Sequence, residues 1–472
     1  MASEPRTAAI VLAAGDGKRL RSETPKVLHH AAGRPLLVHV LSALVPLHPA
    51  AVIVVASPRK DEIAAVVSAA SLAMGVDYVI QETPLGTGDA ARLGLTALDT
   101  GIEEVIVMSG DTPLVLATTL EQMRRTHRDS AAVVTVLTAE VEDPTGYGRV
   151  LRDGSGSISK IVEERDASDE ERATREINAG VYVFDRQALT DVLPKLGSDN
   201  AQHEYYLPDT LAFLLAEGRK VEAFKGSASE AEGVNSRANL ARVTKELRRR
   251  ACEQWMDEGV TIVDPETTYI DATVEIGRDT VIHPFTFLEG ATTIGPNTEI
   301  GPQARIVDST VAEGATITFA VVRGSEIGPG ASVGPFASLR AGTRLERGAR
   351  AGTFVETKKT TIGEDSKANH LAYLGDAKIG RGVNVGAGTI TCNWDGTSKH
   401  ETVIDDDAYI GSDTMLVAPT HIGKRAATGA GSVVRGDVPD DALAVGVPAR
   451  IIEGKGDKMD KKSGKRDPDR RE

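Results

Sequence analysis

An aliphatic residue returns at every sixth position through the second half of the chain, at Ile270, Ile276, Ile282, Leu288, Ile294, Ile300 and Ile306. The series resumes at Ile327, Val333, Leu339 and Leu345, and again at Ile404, Ile410, Leu416 and Ile422. A helical heptad cannot carry this period. It is the mark of a parallel β-helix, in which each hexad forms one short flat strand, three hexads close a triangular coil, and stacked coils place like residues in internal ladders. Six is even, so strand alternation survives from one hexad to the next: aliphatic and small residues face inward, the charged remainder outward. The residue after the aliphatic one is often glycine, as at Gly277, Gly295, Gly301, Gly328, Gly334, Gly411 and Gly423, which predicts corners that need glycine's freedom. Residues 392–401 break the repeat and predict a loop that bulges outward.

Narrow coils favour small residues over rings, and the chain has 47 glycines with only 4 % aromatic residues. At 472 residues it is too long for one hydrophobic core, so two large domains are expected. A net charge of −14 disfavours the broad basic face that nucleic acid needs, and anionic ligands must be met in local pockets. Residues 1–7 are polar and carry no signal-peptide pattern, and no stretch is long enough to span a membrane. Cys252 and Cys392 match no metal or redox spacing. Together these features predict a cytoplasmic protein with reduced thiols.

Between residues 8 and 228, short apolar runs alternate with amphipathic stretches, at 8–13, 36–44, 51–56, 61–70 and 105–108. This is the rhythm of a Rossmann-like α/β domain with a mixed, mostly parallel sheet, whose ligands lie beyond the carboxyl ends of the strands. Residues 236–256 read as a helix with Ser236 as N-cap and a charged face through Lys245, Glu246, Arg248 and Arg249. The expected organisation is an α/β domain at 1–235, a linker helix at 236–258, a β-helix at 259–454 and a disordered charged tail at 455–472. After the first strand, Gly15 and Gly17 let backbone N–H groups approach an anion, while Arg19 and Lys26 supply positive charge for a triphosphate. The spacing Gly-x-Gly-x-Arg is no dinucleotide fingerprint, and by itself the loop is a weak signal with a mere tight turn as its alternative.

The run LAAGDGKRLRSETPKVLH at 12–29 resembles the signature of sugar-1-phosphate nucleotidyltransferases. QETPLGTGDA at 81–90, SGDTPL at 109–114, GYGR at 146–149, Glu163, INAG at 177–180 and GVN at 233–235 follow in that family's order. Joined to the hexapeptide half, the resemblance extends over nearly the whole chain. It is to the bifunctional N-acetylglucosamine-1-phosphate uridylyltransferases and glucosamine-1-phosphate acetyltransferases, whose coil is a left-handed parallel β-helix. This resemblance implies that Asp111 and Asn235 hold Mg²⁺ and that Arg19 and Lys26 act catalytically on the phosphates of UTP. It further implies that Leu12, Ala13, Gly15 and Ser109 line the nucleotide, that Gln81 and Gly86 read uracil, and that Thr87, Gly148, Glu163 and Asn178 line the sugar. The chemistry agrees on its own terms, because nucleotidyl transfer asks a protein mainly for positioning and charge stabilisation.

Between 340 and 393 the outward positions carry Arg340, Lys358, His370, Tyr373, Asn384 and Asn393. With Ala368 and Ala372 facing inward, His370 and Tyr373 project outside the coil. Acetyl transfer to an amine needs a base, and imidazole suits that task near neutrality. The resemblance implies that His370 is this base, that Arg340 and Lys358 bind the sugar phosphate, and that Tyr373 and Asn384 contact the sugar. Ala387, Asn393, Trp394, Ser412, Ala430 and Arg450 are then expected at acetyl-CoA, with Trp394 standing where the family often carries tyrosine. Direct attack on the thioester leaves no part for Cys392, and the family's chains resemble homotrimers. The alternatives are a single-activity sugar-1-phosphate nucleotidyltransferase with a structural or regulatory β-helix, and a non-catalytic scaffold.

Overall fold

The computed structural model describes residues 5–15 and 17–455 and divides into two compact units, Met1–Leu247 and Arg248–Glu472. The tail expected to be disordered lies, from 456 onward, outside the described residues.

In the first unit the central sheet runs Val221–Lys225, Val134–Glu140, Glu176–Asp185, Glu104–Ser109, Thr7–Ala13, Ala51–Ala56, Asp77–Ile80 in space. Thr7–Ala13 pairs parallel with both neighbours and is buried along nearly its whole length. Its sequence is therefore an unbroken apolar run instead of an alternating one. Ala8 and Ile10 pack in one layer with Val105, Val107, Ala91 and Leu95. Ala9 and Val11 pack in the other with Ile106, Met108, Leu37 and Leu41. Each fully buried Val, Leu or Ile contributes roughly 1.5–3 kcal/mol, so the two layers fix the strand register firmly. Leu12 consequently lies beside Ser109, at the carboxyl ends of the two central strands. The strand Glu176–Asp185 runs antiparallel to both its neighbours, and its register against Val134–Glu140 slips between Asn178 and Tyr182. The INAG motif sits in that bulge, where Gly180 takes φ +72° against Ser109.

The helix predicted at 236–256 spans Arg237–Asp257, and Ser236 Oγ accepts a hydrogen bond from Asn239 N–H at 3.1 Å. In the first unit Val243, with Leu240 and Leu247, packs on Leu36, Leu114 and Val234. In the second, Cys252, with Ala251 and Trp255, joins the core of the coil.

The second unit winds as the six-residue period predicts. Ile276 stacks on Ile294, Ile282 on Ile300 and Leu288 on Ile306, all in parallel register, and every aliphatic position of the repeat is buried. The gap in the repeat after Ile306 is no gap in the coil. Ile294 stacks on Val311 and Val311 on Ile327, so these turns are one and two residues short, and the ladder continues through Val311, Ile317 and Val322 in a shifted phase. The turn from Ile379 to Ile404 is long instead, because residues 393–400 are extruded while Ala377–Ile379 pairs directly with Thr402–Ile404.

Glycine after the aliphatic residue serves a different need from the one expected. Of the seven, only Gly301 and Gly334 have positive φ, at +93° and +100°. At Gly277, Gly295, Gly328 and Gly411 an added Cβ would fall 2.5 to 2.7 Å from the backbone of the next coil. Glycine is there so that stacked backbones can close to strand spacing. The corners are turned by left-handed residues, among them Asp279, Asn297, Asp365 and Asp407 in one column and Phe319, Phe336, Phe354 and Leu371 in another.

Candidate active sites

At the carboxyl edge of the first sheet, Gly110 N–H donates to Leu12 O at 2.9 Å, locking the two motif-bearing strand ends together. Leu12, Ala13 and Gly15 thus lead from the first strand directly beside Ser109 and Asp111. The loop then crosses Lys26 at Gly17, which has φ +61° and whose Cβ, if present, would sit 2.7 Å from Lys26 Cβ. Only glycine passes there. Lys26 Nζ donates to Asn235 Oδ1 at 2.7 Å and also contacts Asp111 Oδ2. Val234 N–H donates to Asp111 O at 2.9 Å, so the GVN segment is pinned to the acidic motif across a long stretch of sequence. Arg19 is exposed and has no ion pair among the described residues.

Two hard oxygens, one carboxylate and one amide, therefore converge on a single cation, here the Lys26 ammonium. That donor set fits Mg²⁺, which takes few protein ligands and completes its shell with phosphate and water. It falls short of a protein-only metal cage, and no group of three His, Cys, Asp or Glu side chains placed to hold a metal ion occurs among the described residues.

The residues expected at the base and at the sugar divide into two groups. Gln81 is buried; its Nε2 donates to Gly86 O at 3.2 Å and to Asp89 Oδ2 at 2.8 Å. Gly86 has φ +111°, and a Cβ there would meet Tyr205 O at 2.6 Å. Thr87 Oγ1 accepts from Leu207 N–H at 3.0 Å, so this threonine ties the loop to residues 205–207. In the second group, Asn178 N–H donates to Gly148 O at 2.9 Å, and a Cβ on Gly148 would lie 3.3 Å from Glu163 Oε1. Asn178 Nδ2 donates to Tyr182 OH at 2.7 Å. Arg149, from the same GYGR motif, is fully buried and pairs with Glu164, so it braces the antiparallel hairpin of Arg149–Arg152 and Ile158–Val162.

Glu163 is half-buried, and burial, reinforced by the charges of Asp209, Asp166 and Glu204, pushes its carboxyl up to about 7 from 4.5. The folded state therefore binds a proton more tightly than the unfolded chain. Its stability contribution is fully present below about pH 4.5 and is lost as pH rises through 7. Glu163→Gln removes the ionisation and is expected to stabilise the first unit by about 3 kcal/mol above pH 7, with the gain shrinking toward pH 4.5. Urea unfolding between pH 5 and 8.5 checks this; a gain independent of pH contradicts it.

On the coil, the strands Arg350–Lys358 and Lys367–Gly375 run side by side with Thr353 opposite His370, Glu356 opposite Tyr373 and Lys358 opposite Gly375. The second strand turns a corner at Leu371, which has φ +35°. His370 precedes that corner and Tyr373 follows it, so the two face adjoining walls.

On the wall of Tyr373, Arg340 lies one coil before Lys358 and pairs with Glu356 at 3.0 Å. Lys399 from the extruded loop also comes against Lys358, and its ammonium, aided by Arg340 and opposed by Asp376, holds Lys358 below the ordinary lysine range. Three cations held this close make a site for an anion. Asn393 Nδ2 donates to Asp376 Oδ2 at 2.5 Å, and a Cβ on Gly375 would collide with Tyr373 OH and Asn393 Nδ2 at 2.5 and 2.7 Å. Asn393 was expected on the outer wall and is instead buried, because His400 N–H closes the loop back onto Asn393 O. Trp394 stays exposed and bridges to Lys399 across that loop. Lys399 escaped the sequence reading because the loop that carries it has no repeat.

On the wall of His370, the imidazole is exposed. Ala368 pairs with Val385, and Val385 in the next coil with Ile410, so His370, Ala387 and Ser412, each two residues on, form one column. Ala430 extends it, since Gly431 N–H donates to Ser412 O at 2.8 Å. Asn384 lies opposite Lys367 on the same wall. Val445 touches the column at Gly429 and pairs with Arg450 on the closing hairpin. The structure thus brings together His370, Asn384, Ala387, Ser412 and Ala430, and separately Arg340, Lys358, Tyr373 and Asn393. Cys392 is a free, half-buried thiol pushed up by burial, which leaves it protonated and a poor nucleophile.

An open α/β sheet with a glycine-bearing loop and paired oxygens at its carboxyl edge, continued by a hexapeptide coil with a basic outer wall, is the architecture of a nucleotidyltransferase fused to a β-helix acyltransferase, and comparisons with known proteins agree. Residues 8–262 match the family described as Nucleotidyl transferase. The whole chain is similar to proteins named bifunctional protein GlmU. It is 48 % identical to that of Carboxydothermus hydrogenoformans over 437 residues, covering 92 % of this chain and 96 % of the relative. It is 46 % identical to that of Thermobifida fusca, covering 96 % and 94 %, and 49 % identical to that of Mycobacterium bovis, covering 95 % and 91 %. The chain belongs to the bifunctional GlmU family. It is a bifunctional transferase that makes UDP-N-acetylglucosamine, acetylating glucosamine-1-phosphate from acetyl-CoA and then joining the product to UTP with release of pyrophosphate. Similarity that runs through both units disfavours a single-activity enzyme with an idle coil.

Proposed function

We propose that residues 1–235 carry uridylyl transfer, that 259–454 carry acetyl transfer, and that 236–258 connect them. The convergence of Asp111 and Asn235 on Lys26 carries the first assignment. When bound there, Mg²⁺ supplies charge neutralisation on the nucleotide phosphates. Lys26 and Arg19 clamp the phosphates of UTP, Gln81 and Gly86 read the base, and Gly148, Glu163, Asn178 and Thr87 position the sugar. An oxygen of the sugar phosphate then attacks the α-phosphorus, and the bond to pyrophosphate breaks.

For acetyl transfer, Arg340, Lys358 and Lys399 hold the phosphate of glucosamine-1-phosphate, with Tyr373 and Asn384 on the sugar. The amine attacks the thioester carbonyl, His370 takes its proton, and coenzyme A leaves as the thiol. The column Ala387, Ser412, Ala430 with Arg450, together with Asn393 and Trp394, forms the acetyl-CoA groove. His370 and the cationic cluster stand on adjoining walls of one chain, which supports a homotrimer whose acetyl site is completed by a neighbouring copy. The ridge of Phe319, Phe336, Phe354 and Leu371 beside His370 supports the same assembly: ring centroids step at 5.5 Å, and Phe336, Phe354 and Leu371 are exposed. Free thiols, and the absence among the described residues of a helix long and apolar enough to cross a membrane, support a cytoplasmic location.

Incubating the protein with glucosamine-1-phosphate, acetyl-CoA, UTP and Mg²⁺ is expected to yield free coenzyme A, pyrophosphate and UDP-N-acetylglucosamine, identified by mass. Formation of UDP-glucosamine without coenzyme A release would overturn the assignment of the coil.

A further inference from the structure

Gln81 is held by two groups that can only accept. Its Nε2 spends one hydrogen on Gly86 O and the other on Asp89 Oδ2, at 3.2 and 2.8 Å. Gln81 and Asp89 are both more than nine-tenths buried. Arg92 Nη2 donates to the other oxygen of Asp89 at 2.5 Å, a charge-assisted bond that fixes the carboxylate in place. A side-chain amide can ordinarily turn over and exchange its donor end for its acceptor end. Here the turned amide would set Gln81 Oε1 against a carboxylate and a carbonyl, so one orientation survives. Oε1 takes no hydrogen bond from any described residue and is the end left for a ligand.

We propose that Asp89 is a positioning residue that makes Gln81 an obligate acceptor and thereby sets the preference for uracil over cytosine. This rests on the reading of Gln81 as a base contact. Uracil presents N3–H, a donor, whereas cytosine presents N3 as an acceptor beside a 4-amino donor. A locked Oε1 meets the first and opposes an unpaired lone pair against the second. A site built around one hydrogen bond rejects the mismatched partner because buried polar groups are left unsatisfied.

The test measures kcat/KM for UTP and for CTP with N-acetylglucosamine-1-phosphate by pyrophosphate release, with acetyl transfer by the same preparation as the control for folding. Asp89→Asn can offer its own NH₂ to Gln81 Oε1 and so lets the amide turn. The preference for UTP over CTP is expected to fall roughly 10- to 100-fold, with acetyl transfer unchanged. The paired change Gln81→Glu with Asp89→Asn restores an acceptor facing the base and is expected to recover most of the preference. If Asp89→Asn does not fold, Arg92→Gln, which frees the carboxylate, is expected to lower the same ratio more weakly. An unchanged ratio in the Asp89 or Arg92 variant, while Gln81→Ala loses it, overturns the orienting role and leaves the base contact standing. An unchanged ratio in Gln81→Ala overturns the reading on which the inference rests.

Discussion

Asp111→Ala is expected to lower uridylyl transfer by about a thousandfold or more, because it removes the carboxylate of the converging pair to which charge stabilisation is assigned. Acetyl transfer by the same protein is expected to stay unchanged, since it is assigned to 259–454 and Asp111 belongs to the first unit. The two rates are read separately, as pyrophosphate from UTP and as free coenzyme A from acetyl-CoA. The variant should fold: Asp111 holds the GVN segment through its backbone carbonyl, which accepts from Val234 N–H and survives the substitution. Lys26 keeps its bond to Asn235 and loses only its acidic partner. Asp111→Asn keeps an oxygen in place and removes the charge, so it should fall between wild type and alanine. Equal loss of both activities in a folded variant would refute the separation of the two sites.

How much of this was legible in the sequence depended on whether a feature was periodic. The coil was readable because Ile276, Ile294 and their successors must stack in register, and a period of six leaves no other architecture. Its phase was less readable. Losing one residue between Ile294 and Val311 and two between Val311 and Ile327 leaves the stacking intact while erasing the count. Only Gly301 and Gly334 of the seven glycines take the positive φ expected of them, and the others were explained by the wrong cause, since a close approach between coils leaves no trace in local backbone preference. Side-chain partners were the least legible. Lys399 and the burial of Asn393 follow from an aperiodic loop folding back on itself, and the hold of Asp89 on Gln81 joins two residues whose motif reads only as a continuous string. His370 could be placed outside the coil because alternation from Ala368 fixes its direction, but its separation from Lys358 by a corner arises from Leu371 adopting a left-handed conformation that its sequence does not favour.

His370→Ala is expected to lower kcat for acetyl transfer by roughly 10²- to 10⁴-fold, the usual contribution of a general base, with uridylyl transfer intact. The KM for glucosamine-1-phosphate should change little, because its phosphate is assigned to Arg340, Lys358 and Lys399 on the adjoining wall. Lys358→Ala should do the reverse and raise that KM. The same pair of variants tests the assembly. If one copy supplies the imidazole and its neighbour the cations, trimers mixed from His370→Ala and Lys358→Ala chains contain some sites with both wild-type halves. Such mixtures should regain acetyl transfer that neither variant shows alone at low substrate. Mixed trimers that stay inactive would place both halves of the site on one chain, and the corner at Leu371 would then have to open to bring His370 to the phosphate cluster.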